Sequence, residues 1–345
     1  MSLIQALFYK KASKVTTKFQ LTAIGNAIVD ILANTDEEFL TAQAAHGMNR
    51  AAMTLIDENR ARALYPLMNR PIEMSGGSAA NTMACFAALG GHGAYIGKVS
   101  HDRFGKIFAN DMIKSGIHYN TPALENGPLT AQCLIFIEPN GDRTMNTFLG
   151  ASVLFSENDV NEDVIANSDI VYLEGYLFDK DEAKKAFLKA ATLTHKHNRK
   201  LSLTLSDIFC VQRHRDDFLN LIENHVDILF ANHFELLELY QTDDLNHAME
   251  RLRAHCDLAI VTQSDKGSTI LTTNERIHID AFPVAKVIDT TGAGDAYAAG
   301  FLYGLTHGYD LNACGNLGSR TAAEIISQMG PRPQRSFDDF KTYAA

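Results

Sequence analysis

Apolar residues recur along the chain in short, nearly continuous runs at 21–25, 170–174, 201–205, 227–231 and 258–262. Between the last four lie longer segments, 181–194, 216–224 and 246–255, with apolar positions at helical spacing. The short runs read as strands buried on both faces and the longer segments as amphipathic helices. Their alternation predicts an α/β fold, doubly wound, with a mainly parallel sheet and helices on both faces. Such sheets bind ligands at the carboxyl ends of their strands. Asn26, Gly175, Asp207, Asn232, Thr262 and the loop around Gly292 fall at those ends and are the first candidates for a site.

One stretch breaks this rhythm. Residues 131–138 and 143–149 are strand-like, and Pro139-Asn140-Gly141-Asp142 between them is a hairpin signal. A hairpin so far from the parallel pattern predicts a separate small sheet. Side chains alternate along a strand, so Met145, Thr147 and Leu149 are expected on one face, as a core stripe or as a binding surface. Arg143, just after the turn, reads by itself as a solvated hairpin charge. Residues 36–70 are polar and Ala-rich, with helical patches at 57–68. The chain shows no internal repeat, low-complexity stretch or interdomain linker.

The run Val287-Ile288-Asp289-Thr290-Thr291-Gly292-Ala293-Gly294-Asp295 precedes an Ala/Gly/Leu-rich helix that passes through Phe301 and Leu305. Glycines let a backbone approach a ligand, and the free N–H groups of a helix start attract anions. Asp295 would repel a bound phosphate, so its place in this cradle needs a reason. Deprotonation of a hydroxyl as it attacks a phosphoryl group supplies one. There is no Gly-Lys-Ser/Thr, and the third glycine of a dinucleotide fingerprint is missing. Asp30 sits inside the apolar stretch 27–32, where a carboxylate needs a partner or a ligand. Asn232-His233-Phe234-Glu235 reads alone as a helix cap with a first-turn carboxylate.

The 345 residues are 46% hydrophobic, ample for a sizeable core. The net charge of −10 argues against a nucleic-acid or anionic-membrane surface. Five scattered cysteines, with no Cys-x-x-Cys pair, read as reduced thiols of a cytoplasmic protein. No apolar run is long enough to span a membrane. The apolar start Leu3-Ile4 precedes Lys10-Lys11, the reverse of a secretion signal. The thirteen histidines make no His-Glu-x-x-His or close Cys/His cluster, so no structural metal site is expected.

The segment from Asp289 to Asp295 resembles the second signature of the ribokinase-like (PfkB-type) carbohydrate kinase family. Gly76-Gly77-Ser78-Ala79-Ala80-Asn81, then Gly90-Gly91 and Asp102-Arg103-Phe104-Gly105, resemble its first. The resemblance covers nearly all of 20–335 and implies a kinase domain there, preceded by an extension at 1–19. It also implies a small β lid, formed from segments about 31–70 and 128–150. In the family the last Asp of the signature, here Asp295, is the catalytic base, and the Gly292, Ala293 and Gly294 amides form the anion hole. Asn26, Asp30, Gly76, Gly77, Ser78 and Asn81 would hold substrate hydroxyls. Asn232, Glu235, Thr262, Gly267, Asp289 and Thr290 would bind the nucleotide. Asn232 and Glu235 would reach Mg²⁺ through water. Ser264 departs from the pattern, since many members carry Gly there.

Residues 25–30, 76–81 and 227–232 look most like the adenosine-kinase branch. In that branch an Arg after a similar turn, here Arg143, reaches the transferred phosphate, and apolar side chains clamp a purine. Ile28, Met145 and Leu149 are placed for this, with Leu177 and Phe209 as additions. The expectation is an ATP- and Mg²⁺-dependent kinase, with K⁺ dependence left open, acting on the primary hydroxyl of a nucleoside such as adenosine. A free-sugar kinase and a non-catalytic nucleoside-binding protein are the alternatives. The expected partners are small molecules only, in a monomer or homodimer.

Overall fold

The computed structural model describes residues 17–139 and 141–343, so Asn140 of the predicted turn and residues 1–16 of the predicted extension lie outside the described residues. Its strands are β1 (Phe19–Ile24), β2 (Ile28–Asn34), β3 (Met53–Leu55), β4 (Ile72–Gly76), β5 (Gly93–Ile96), β6 (His118–Tyr119) and β7 (Ala131–Ile137). They continue with β8 (Arg143–Phe148), β9 (Ser168–Glu174), β10 (Lys200–Thr204), β11 (Ile228–Asn232), β12 (Leu258–Thr262), β13 (Ser268–Thr272) and β14 (Arg276–Ile279).

Nine strands form one sheet in the order β14-β13-β12-β11-β10-β9-β1-β5-β6. It is parallel from β12 to β6, and β13 and β14 close one edge antiparallel. Strand alternation explains why the predicted runs are continuous. Ile170 and Tyr172 of β9 enter the core on one face, while Val171 and Leu173 enter the core on the other. The second sheet has the order β3-β8-β7-β2-β4. It contains the predicted hairpin β7–β8, and it also takes in β2 and β4.

Seven helices carry the rest of the argument: α1 (Glu37–Ala44), α2 (Glu58–Leu64), α3 (Ser78–Ala88), α4 (Ile208–Asn224), α5 (His233–Tyr240), α6 (Ala293–Thr306) and α7 (Leu311–Ile326). Asp36 and Asp57 cap α1 and α2 by accepting from Phe39 N at 2.8 Å and Arg60 N at 2.7 Å. Small residues let α6 and α7 close on each other. A Cβ on Gly300 would lie 2.6 Å from the Leu317 carbonyl oxygen.

Two expectations change. The predicted helix at 216–224 begins earlier, at Ile208, and bends at His214, whose φ and ψ are −128° and 24°. Leu149 does not share a strand face with Met145, because β8 ends at Phe148 and Leu149 turns into helical geometry with ψ −17°.

Candidate active site

The base candidate sits where the glycine turn becomes α6. Gly292 caps that helix with φ +77°, and a Cβ there would meet Pro331 Cβ at 2.5 Å, so the position needs glycine. Gly294 has open space where its Cβ would be. Asp295 follows in the first turn, among N–H groups that have no intrahelical acceptor. The Ala293 N–H is already engaged with the Thr290 carbonyl at 3.2 Å. The Asp295 carboxylate accepts from Ser78 Oγ at 2.6 Å and Asn81 Nδ2 at 3.1 Å. Burial pushes Asp295 up to about 6, against the pull of these two bonds and of Arg332.

Asp30 of β2 faces the same space. A Cβ on Gly76 would fall 2.3 Å from its carboxyl, so glycine is what leaves room for it. Gly77 has φ +91°, and its Cβ would strike the Asn26 carbonyl at 2.3 Å. Burial raises Asp30 to about 6, Arg332 and Arg143 oppose the rise, and Asp295 adds to it. Asn26 is held behind them. Its side-chain amide donates to Glu174 Oε1 at 2.8 Å, and Tyr95 Oη donates to its carbonyl at 2.9 Å.

Two residues of this site escaped the sequence reading. Glu174, at the end of β9, is buried and accepts from Asn26 and from Ala79 N at 2.8 Å. It thereby ties the β1–β2 loop to the start of α3, and burial pushes it up to about 7. Its signal was an acidic residue closing an apolar run. Arg332 lies in Gly330-Pro331-Arg332-Pro333, and its Nη1 donates to the Ala80 carbonyl at 2.9 Å. A charged residue between two prolines was the cue.

Arg143 is not a solvated hairpin charge, because its side chain is only 8% exposed. It forms an ion pair with Asp289, and its Nε and Nη1 are buried with no protein partner. Asp289 also accepts from Thr291 N at 3.0 Å and Gly330 N at 2.8 Å. The small sheet is thus joined to the glycine turn through this carboxylate. Thr290 contributes its carbonyl to the turn, as above.

On the far side, Asn232 and Glu235 form a capping box on α5. Asn232 Oδ1 accepts from Glu235 N, and Glu235 Oε2 accepts from Asn232 N, each at 2.9 Å. Burial raises Glu235 to about 7. Asn232 is in register with Thr262 of β12. Gly267 turns the chain into β13 with φ +79°, and a Cβ there would lie 2.0 Å from the Ile279 carbonyl oxygen.

The apolar candidates divide. Ile28 and Met145 pack, partly exposed, with Met74 and Ile137 against Leu32, Cys133 and Ile135 on one face of the small sheet. Asp30 lies on that face, in register with Met74 and Cys133. Leu149 is outside this cluster. Leu177 is buried in the core of the large sheet, whereas Phe209, at the start of α4, is 64% exposed.

Residues 63–336 match the family described as pfkB family carbohydrate kinase. A probable sugar kinase from Rhizobium etli superposes with a TM-score of 0.87 at 46% identity, over 95% of this chain and 99% of that one. The adenosine kinase from Sinorhizobium meliloti gives the same TM-score and identity, over 95% and 100%. A 5-dehydro-2-deoxygluconokinase from Bacillus licheniformis is 27% identical over 277 residues, which is 75% of this chain and 85% of that protein. Two signatures in one cleft, a carboxylate at a helix start and a match across most of the chain agree: this protein belongs to the pfkB family of carbohydrate kinases.

Proposed function

We propose that the chain transfers the γ-phosphoryl group of ATP to the primary hydroxyl of a nucleoside, and that conversion of adenosine to AMP is its preferred reaction. The open apolar face around Asp30, made by Ile28, Met74 and Met145, carries this reading. A purine presents a flat apolar surface whose burial stabilises by several kcal/mol at about 25 cal/mol per Å². A sugar alone has no such surface to bury there. The similarity to the Sinorhizobium adenosine kinase supports the same choice.

In this reading Asp30, Asn81 and the Gly76-Gly77 backbone receive the ribose hydroxyls. The primary hydroxyl donates to Asp295. As its oxygen bonds to the γ-phosphorus, the proton passes to Asp295 and the bond to the β–γ bridging oxygen breaks, releasing ADP. Of the three amides at 292–294, those of Gly292 and Gly294 meet the charge on the transferring group together with Arg143, since the Ala293 N–H is held by Thr290. Thr262, Gly267, Asp289 and Thr290 border the nucleotide.

Mg²⁺ supplies charge neutralisation at the ATP phosphates. No three His, Cys, Asp or Glu converge as a cation cage among the described residues. An ion held mainly by phosphates and water needs none, and the Asn232–Glu235 pair fits an outer-shell role. We place the reaction in the cytoplasm, in keeping with five free, buried cysteines, and no helix among the described residues is long and apolar enough to cross a membrane.

A free-sugar kinase is the second reading, since Asp30, Asn81 and the glycine pair serve sugar hydroxyls with or without a base. ATP consumption against a panel of nucleosides and free sugars, with and without KCl, separates the readings. Adenosine should exceed ribose and fructose in kcat/KM by at least about 10²-fold, roughly 3 kcal/mol. Equal turnover of a free sugar would hand the site to the second reading. Tight nucleoside binding without ATP consumption would make the chain a binding protein.

A further inference from the structure

Arg332 is fixed more firmly than its place in a C-terminal loop requires. Prolines flank it on both sides and set the backbone. Gln328 Nε2 donates to its carbonyl at 2.5 Å, and the adjoining Gly330 N donates to Asp289 at 2.8 Å. Pro331 lies against Gly292, close enough that a Cβ there would reach it at 2.5 Å. The guanidinium then extends to the Ala80 carbonyl, in the same helical turn whose Ser78 and Asn81 hold Asp295. Its Nε and Nη2 are buried with no protein partner. Burial pulls Arg332 down, and Asp30 is the strongest influence opposing this.

We infer that Arg332 is a positioning residue: it supplies the fixed positive charge that lets Asp30 and Asp295 stay ionised together in one small cleft. This rests on the kinase reading but not on the identity of the acceptor. Two carboxylates that share a buried site repel, and without a cation one of them takes up a proton. A protonated Asp295 cannot accept a proton from the attacking hydroxyl. Among the described residues Arg332 is the one cation that acts on both carboxylates. Glu174 and Tyr172 reach the site from β9, Tyr176 from the turn after it, and Cys85 from α3; none of these four brings a positive charge. Arg143, on β8, acts on Asp30 and is committed to Asp289.

Arg332→Gln and Arg332→Lys, with the kcat/KM pH profile of whichever panel substrate is turned over, test this. Loss of the charge favours the protonated carboxylate, so the acid limb should move to higher pH by about one unit or more in Arg332→Gln. Arg332→Lys should restore the limb toward its original place. Activity in Arg332→Gln should fall at least about fivefold at pH 6 and less at pH 8. An NMR titration of carboxyl-labelled aspartate in the ligand-free protein gives the same answer without turnover. Asp295→Asn identifies the signal, which should titrate higher in Arg332→Gln. An unmoved acid limb or an unmoved Asp295 titration in Arg332→Gln overturns the inference. If Arg332→Gln does not fold, Arg332→Lys decides: an Asp295 titration kept within about half a pH unit of the original supports the inference, and a larger rise overturns it. If the panel yields no turnover, the proposed function fails while the NMR titration still judges Arg332.

Discussion

The nine-stranded sheet buries both of its faces, with Ile170 and Tyr172 in one core and Val171 and Leu173 in the other. The five-stranded sheet buries one face only in part and the other fully. There Val29, Ile31, Leu134 and Phe136 pack with Leu40 of α1 and Leu64 of α2. Its other face sets Asp30 among Ile28, Met74, Cys133 and Met145, several of them partly exposed. The residues at the strand ends of the first sheet are fixed before any ligand arrives, as Glu174 holds Asn26 and Ala79. The second keeps apolar surface whose burial can be completed by a ligand. Substitutions at the rim of the large sheet should act on rate, and those on the open face of the small sheet should act on affinity.

The largest effect is expected at Asp295. Asp295→Asn should lower kcat by about 10²–10⁴-fold while leaving nucleoside binding largely intact. Retention of more than about a tenth of the original kcat would remove Asp295 from the mechanism and with it the rate half of the comparison.

Asp30 should show a cost in stability that its site imposes. Its folded pKa is raised from 3.8 to about 6, so ionisation destabilises the fold. That penalty is absent below the unfolded value, grows as pH rises and is complete above about 6. Asp30→Asn should thus stabilise by up to roughly 3 kcal/mol at pH 8, and the gain should fade as pH falls toward 4. Denaturant unfolding at the two pH values checks this; a gain independent of pH would assign the effect to packing instead.

Arg143 tests the boundary between the sheets, because it stands on the small one and bonds the turn of the large one. Arg143→Ala should lower kcat by about 10²-fold, as for loss of a donor to transition-state charge, and raise KM less. An effect confined to KM would move it to the affinity half. The smallest change is expected at Met145. Met145→Asp should weaken adenosine binding by about tenfold or more and leave any sugar activity nearly unchanged. Equal losses for both acceptors would mean that the apolar face is simply core of the small sheet.

The sequence by itself determined the alternation of buried strands and helices, the separate hairpin, and the glycine turn that ends in Asp295. Each is written in residues close along the chain: strand runs, turn residues and a helix start are governed by local sterics and by periodicity. The tertiary structure alone decided what these pieces do to one another. Asp295 is held by Ser78 and Asn81 from more than two hundred residues away, and Asn26 by Glu174 across 148. Arg143 pairs with Asp289, and Arg332 reaches Ala80 across 252 residues. Leu149 shows the same limit in reverse, since strand alternation placed it beside Met145 and the end of β8 turned it away. A carboxylate or guanidinium in the sequence states its charge but not its burial. Burial and the opposing charges that make it tolerable arise only when distant segments close around it.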